Sequence, residues 1–193
     1  MQSFHHFVPP KSVALLQCWI DELDAEIVIS PPRNTKLGDF KVRYNHLAIS
    51  VNNNLNPYSF LITLTHELAH AFIWREHKNR VKPHGEEWKE LYKKLMLNFL
   101  NPDIFPQDIL RTLSKHLISP SASTSTDIEL CSCLRKYNNL IRRTVSDIQE
   151  GEIFLLKNRK KFIKGPKLRK RFKCIELVSQ KTYMVHPLSE ISE

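Results

Sequence analysis

The chain has 193 residues, 41% of them hydrophobic, and a formal net charge of +9 from 29 Lys and Arg against 20 Asp and Glu. That length supports one sizeable core and a smaller appendage, while the absence of any long apolar stretch excludes a membrane-embedded protein. Met1 to His6 shows no basic segment followed by an apolar run, and the four cysteines are too scattered for a disulfide framework, so the expected setting is cytoplasmic and reducing.

In chain order, Leu15, Leu16, Trp19, Ile20 and Leu23 predict an amphipathic first helix, with Cys18 as a small core or edge residue. Ile27 to Ile29, before Pro31-Pro32, predicts a short strand. Phe40, Val42 and Tyr44 alternate, as do Leu47, Ile49 and Val51, which predicts a hairpin of two half-buried strands turning at Asn45-His46. His46 is expected at the turn or the surface, because no partner spacing supports it as a ligand.

Asn56-Pro57 then gives an N-cap and a proline in the first helical turn. Leu61, Leu64, Leu68, Ala71 and Phe72 form an apolar stripe at helical spacing, and Thr63, His66, Glu67 and His70 fall on roughly the opposite side. His66-Glu67-Leu68-Ala69-His70 is an HExxH zinc-hydrolase signature. At 3.6 residues per turn the two imidazoles lie one above the other and can share a tetrahedral metal, with Glu67 beside its open position as an acid/base.

A catalytic zinc takes three protein ligands. The metzincin continuation fails, since Ile73 and Glu76 occupy the places for its glycine and third histidine. His77 is about 10 Å along the axis from His70, at 1.5 Å per residue, and is expected to be a solvated helix end. The polar stretch Asn79 to Pro83 can turn the chain back and deliver His84-Gly85, which makes His84 the favoured third ligand. Glu87 or Glu90 on the next helix would take that place in a glutamate-type site.

His66-Glu67-Leu68-Ala69-His70-Ala71-Phe72, the later His84-Gly85 followed by Trp88, and upstream Lys36-Leu37-Gly38-Asp39-Phe40 together resemble the Spartan-related SprT-like zinc metallopeptidases over roughly residues 12 to 100. The resemblance implies a zincin-like α+β fold, His66, His70 and His84 as ligands of one catalytic Zn²⁺, Glu67 as the catalytic acid/base, and a link to DNA in several members. It implies a peptidase of protein substrates, including nucleic-acid-associated proteins or DNA–protein crosslinks.

Trp88, Leu91, Tyr92, Leu95, Met96 and Phe99 predict a packing helix, and Asp108 to Leu117 a shorter one. Ser119 to Thr126 is rich in turn formers and lacks large apolar residues, so the predicted division is a metallopeptidase domain over 1–118, a linker over 119–126 and a small basic antiparallel β domain over 127–193. Its strands are expected at Ile153 to Leu156, Lys161 to Ile163, Arg169 to Leu177 and Thr182 to Val185, in a barrel-like sheet.

Ten Lys and Arg lie between Lys157 and Lys173 with no acid among them. Strand alternation places Arg169, Arg171 and Lys173 on one face, a basic ribbon that suits a DNA or RNA backbone. Many SprT-like proteins carry a C-terminal zinc ribbon with two Cys-x-x-Cys knuckles. This chain instead has Cys131-Ser132-Cys133 and a distant Cys174, which with His116 or His186 would make only a degenerate second site. The alternative to an enzyme is a zinc-containing, nucleic-acid-associated scaffold with little proteolysis; the acid between the two histidines argues against it.

Overall fold

The computed structural model describes residues 3–33, 35–121 and 126–192. They divide between Asn138 and Asn139 into two units. The first holds α1 (Val13–Leu23), β1 (Ala25–Ser30), β2 (Gly38–Arg43), β3 (His46–Asn52), α2 (Pro57–His77), α3 (Glu86–Leu97), α4 (Gln107–Ile118) and α5 (Ile128–Arg135). With a separate antiparallel sheet in the second unit, the fold class is α+β.

The first sheet has the order β1-β3-β2, with β1 parallel and β2 antiparallel to β3. Arg43 pairs with His46, so the hairpin turns at Tyr44-Asn45, one residue earlier than the pattern predicts. Both turn residues have positive φ, 48° and 66°, as a two-residue turn matched to strand twist requires. His46 is exposed at the first position of β3.

Leu16, Trp19, Ile20 and Leu23 bury one face of α1, whereas Cys18 is exposed rather than part of the core. α2 departs further from its sequence pattern. Thr63, Thr65 and Glu67 are buried along with the apolar stripe, because α1 and α3, together with β2 and β3, pack around it. A helix covered on all sides is a core helix, so the motif does not face away from the packing.

α5 was not expected in a segment assigned to strands. Asp127 caps it by accepting from Leu130 N, and Leu130, Cys133 and Leu134 enter the first core. Asn56 Nδ2 donates to Leu134 O (2.9 Å) and Asn138 Oδ1 (2.7 Å), tying the end of this segment to the start of α2. Residues 127–138 therefore belong with the first unit, and the division falls after 138 instead of at 119–126. Of that expected linker, 122–125 lie outside the described residues. Turn-forming composition marks a connection; here the connection lies within a domain.

The second unit contains β4 (Ile153–Leu156), β5 (Lys161–Leu168), β6 (Arg171–Glu176), β7 (Thr182–Val185) and β8 (Ile191–Ser192), in the order β7-β6-β5-β4-β8. Val145, Ile148, Phe154, Phe162, Cys174 and Val185 form its core. Gly165-Pro166, predicted to break the chain, instead lies inside β5 at a register shift. A Cβ on Gly165 would stand 2.2 Å from Lys173 O, so the bulge needs glycine there, and proline loses little where the ladder is already interrupted. β8 is too short to show alternation. Among the described residues no helix is long and apolar enough to cross a membrane.

Candidate metal centre

The start of α2 follows from its cap: Asn56 Oδ1 accepts from Ser59 N at 2.9 Å, and Pro57 fills the first turn. Nine residues on, His66, Glu67 and His70 occupy the buried middle of the helix. α2 ends at His77, and Lys78 (φ 54°) starts the return. His84 also takes a positive φ, 58°, just before Gly85 and the first turn of α3. A non-glycine residue in that region is uncommon and points to a conformational constraint, here one that delivers the imidazole to α2.

The structure brings His66, His70 and His84 together. Their Nε2 atoms lie 3.2 Å (66–84), 3.2 Å (66–70) and 2.9 Å (70–84) apart. A neutral imidazole nitrogen either donates or accepts, so three of them in a triangle always leave at least one pair of like kind. A cation accepting all three lone pairs removes the conflict. Ligands about 2.0–2.1 Å from a tetrahedral ion stand about 3.3 Å apart, close to the spacing seen. Among the described residues this is the only group of three or more His, Cys, Asp or Glu arranged to hold a metal. Glu87 and Glu90 are exposed on α3 and take no part in it, and His77 sits at the end of α2 beside Glu76, 3.7 Å away.

Trp88 forms the floor of the triad. It is fully buried, with ring centroids 4.5 Å from His66, 4.7 Å from His84 and 5.2 Å from His70, and Tyr92 stacks on it at 4.9 Å. Burial, followed by repulsion from the charged forms of His70 and His84, pushes His66 down to about 3. Burial and His84 push His70 down to about 4, and burial lowers His84. All three imidazoles are thus neutral near pH 7, the form that binds metal.

Glu67 is 8% exposed. Burial, reinforced by Asp39, raises its carboxyl to about 7, while the backbone N–H of Phe40 opposes the shift by donating to it. A cation held by the triad would draw that value down again. Asp39 is itself held by Lys36 (2.9 Å) and Lys41 (3.1 Å), which outweigh its burial and keep its carboxyl below the usual range. Gly38 is the residue whose role sequence reasoning missed. A Cβ there would meet Glu67 Oε1 at 2.7 Å and Thr63 Cγ2 at 2.7 Å, so β2 can lie against the acid only with glycine at that point. Its sequence signal was a glycine opening an alternating strand, which marks close approach without naming the partner.

Residues 20–106 match the SprT-like family. This segment belongs to that family. Its span takes in α2, the returning loop and α3, hence all three histidines, Glu67, Gly38 and Trp88 of the SprT-like segment. No curated protein and no solved structure matches the chain.

The SprT-like match ends before the basic residues. Arg171 and Lys173 point outward from β6, but Arg169 lies in the β5–β6 turn with φ 48°, so the expected shared face of three loses one member to the hairpin tip. The cysteines do not gather: Cys131 and Cys133 lie on α5, Cys174 in the second core. Cys133 donates to Asp108 at 3.3 Å, and His116 Nδ1 pairs with Asp127 at 2.9 Å.

The purified chain, dialysed against Zn²⁺ and analysed by metal emission spectroscopy, is expected to hold one equivalent at the triad. His84→Ala should bind far more weakly with its circular dichroism unchanged. Retention by His84→Ala with loss in Glu87→Ala would move the third ligand to α3. Separately, Gly38→Ala should cost about 1–3 kcal/mol in denaturant unfolding through overpacking. Adding Thr63→Ser should recover part of it; an unaltered midpoint for Gly38→Ala would show that β2 has room to spare.

Proposed function

We propose that the chain is a zinc-dependent peptidase acting on protein substrates. The observation that carries this reading is the convergence of three neutral imidazoles with a buried carboxylate next to one of them on the same helix. Three nitrogen ligands suit zinc among biological metals and leave a fourth position open, the arrangement of catalytic rather than structural sites. When bound, the ion supplies Lewis acidity.

The chain's own residues do the rest. Glu67, raised to about 7, can take a proton from the attacking water at its Oε1 or Oε2 and return it to the leaving amine nitrogen. Substrate orientation follows from β2, the edge strand of its sheet. Asn52 N donates to Leu37 O, so in the alternating ladder Gly38, Phe40 and Val42 turn their N–H and C=O groups to the free edge. Phe40 N–H already reaches Glu67. An extended peptide pairing along that edge would pass the carboxylate, which favours protein segments over compact small molecules.

Nucleic acid is the proposed second partner, with DNA–protein crosslinks among the candidate substrates. Lys167, Arg169, Lys170, Arg171 and Lys173 are exposed around the β5–β6 hairpin, and none forms an ion pair with an acid among the described residues. Cations crowded without acids repel each other, and a phosphate backbone relieves that repulsion.

Glu67→Gln should keep zinc and fold but lose at least about 10²-fold in hydrolysis of a disordered protein substrate, the lower range of general acid–base contributions. Equal turnover in both would remove Glu67 from the reaction. Zinc binding with no turnover by wild type, with or without oligonucleotide, would return the scaffold reading. For the hairpin, replacing Arg169, Arg171 and Lys173 by Gln should flatten the salt dependence of single-stranded DNA binding by about two units, at roughly 0.7 per lost phosphate contact. Anisotropy titrations across salt read it, and failure of wild type to bind at low salt would leave the hairpin without a nucleic-acid role.

A further inference from the structure

We propose that a groove beside β4 in the second unit docks an extended peptide in which apolar and acidic residues alternate. The inference concerns this unit alone and stands whether or not the histidine site hydrolyses peptides. The groove encloses about 880 Å³. Leu140 (65% exposed), Ile141 (66%) and Ile153 (62%) line it. Single exposed aliphatics are ordinary, but three around one concavity form a patch of the kind that marks a binding surface.

The backbone sets the form of the occupant. Lys164 N donates to Glu152 O (2.9 Å) and Leu156 N to Lys160 O (3.1 Å), so Glu152, Phe154 and Leu156 bond towards β5. By the alternation of an antiparallel ladder, Ile153 and Leu155 turn their N–H and C=O to the opposite edge. β8 pairs there with Leu155 and Leu156 only, and among the described residues nothing pairs with Ile153 on that side. An incoming strand would extend the line of β8 past Ile153, with main-chain bonds giving affinity and alternate side chains meeting the aliphatic patch.

Charge and shape choose its chemistry. Arg142, Arg143 and Lys161 border the groove against a single acid, Glu152. Arg142 lies 3.9 Å from Glu190, whereas Arg143 and Lys161 make no ion pair among the described residues. Acidic residues in the peptide would meet them. The lining favours peptide over nucleic acid, because its one aromatic, Phe154, is buried and offers no face for base stacking.

The test uses the full chain and fluorescence anisotropy with three labelled probes: a ten-residue peptide alternating valine and glutamate, its valine–lysine counterpart, and a ten-residue oligothymidylate. Wild type should favour the glutamate peptide by about tenfold over the lysine one, the scale of a few exposed charge pairs. Ile153→Pro removes the outward N–H while sparing the bonds to β5, and should weaken that binding. Arg143→Glu combined with Lys161→Glu should reverse the preference, a result no unfolding produces, and it decides the matter if Ile153→Pro fails to fold. Absence of binding, equal binding of the two peptides, or an unchanged preference in the double variant overturns the proposal. So does displacement of the peptide by oligothymidylate, which would assign the groove to nucleic acid. Self-association abolished by Ile153→Pro would assign it to a second copy.

Discussion

The first unit depends on α2 being enclosed on every side while carrying polar residues through its middle. A buried polar group without a partner costs about as much as several good contacts supply, so each must be met locally. Thr63 and Thr65 donate to the carbonyls of Ser59 and Leu61 one turn back, at 2.8 and 2.9 Å. Glu67 takes the N–H of Phe40. His66 and His70 have only each other and His84, a set that no choice of tautomers satisfies. The enclosure of α2 thus turns a sequence motif into a demand for a cation.

Two backbone features make that enclosure possible. His84 enters from a left-handed conformation, so the chain reverses within a few residues and α3 can start at once, bringing Trp88 beneath the imidazoles. Gly38 lets β2 close on the opposite flank against Thr63 and Glu67. The same approach that buries Glu67 and raises its pKa also sets the free edge of β2 beside it. Burial of the acid and access for an extended chain are consequences of one contact.

Helical spacing made His66 and His70 legible, and the polar return to His84 was legible from distance along the axis. The burial of α2 was not, because an apolar stripe measures side-chain polarity while Thr63, Thr65 and Glu67 are buried through hydrogen bonds. Gly38 could be noticed but not explained, since its meaning lies in a helix about thirty residues away in sequence. α5 escaped for a different reason: at eight residues it shows little more than two helical turns, and a neighbouring Ser/Thr-rich stretch looked like a boundary. Arg169 was misplaced by assuming that alternation continues through a position where the backbone turns.

Formal charge also needed the fold to be interpreted. Residues 139–193 hold 13 of the 29 Lys and Arg but six of the 20 acids, so the first unit is close to balanced and the second carries most of the positive field. The run of ten cations then separates into kinds. Lys164 is buried, donates to Ile148 O at 2.5 Å and lies over Phe172, so it packs the core and meets no partner. Lys157 and Lys160 pair with Glu190 and Glu176. What remains for an anion is concentrated at the β5–β6 hairpin and, separately, at Lys161 beside the groove. A polyanion drawn by the field of the whole unit would reach the hairpin, where charge is dense and apolar surface sparse. A short acidic peptide gains less from the field and more from contact, and the groove offers that contact with an unpaired strand edge and exposed aliphatics together.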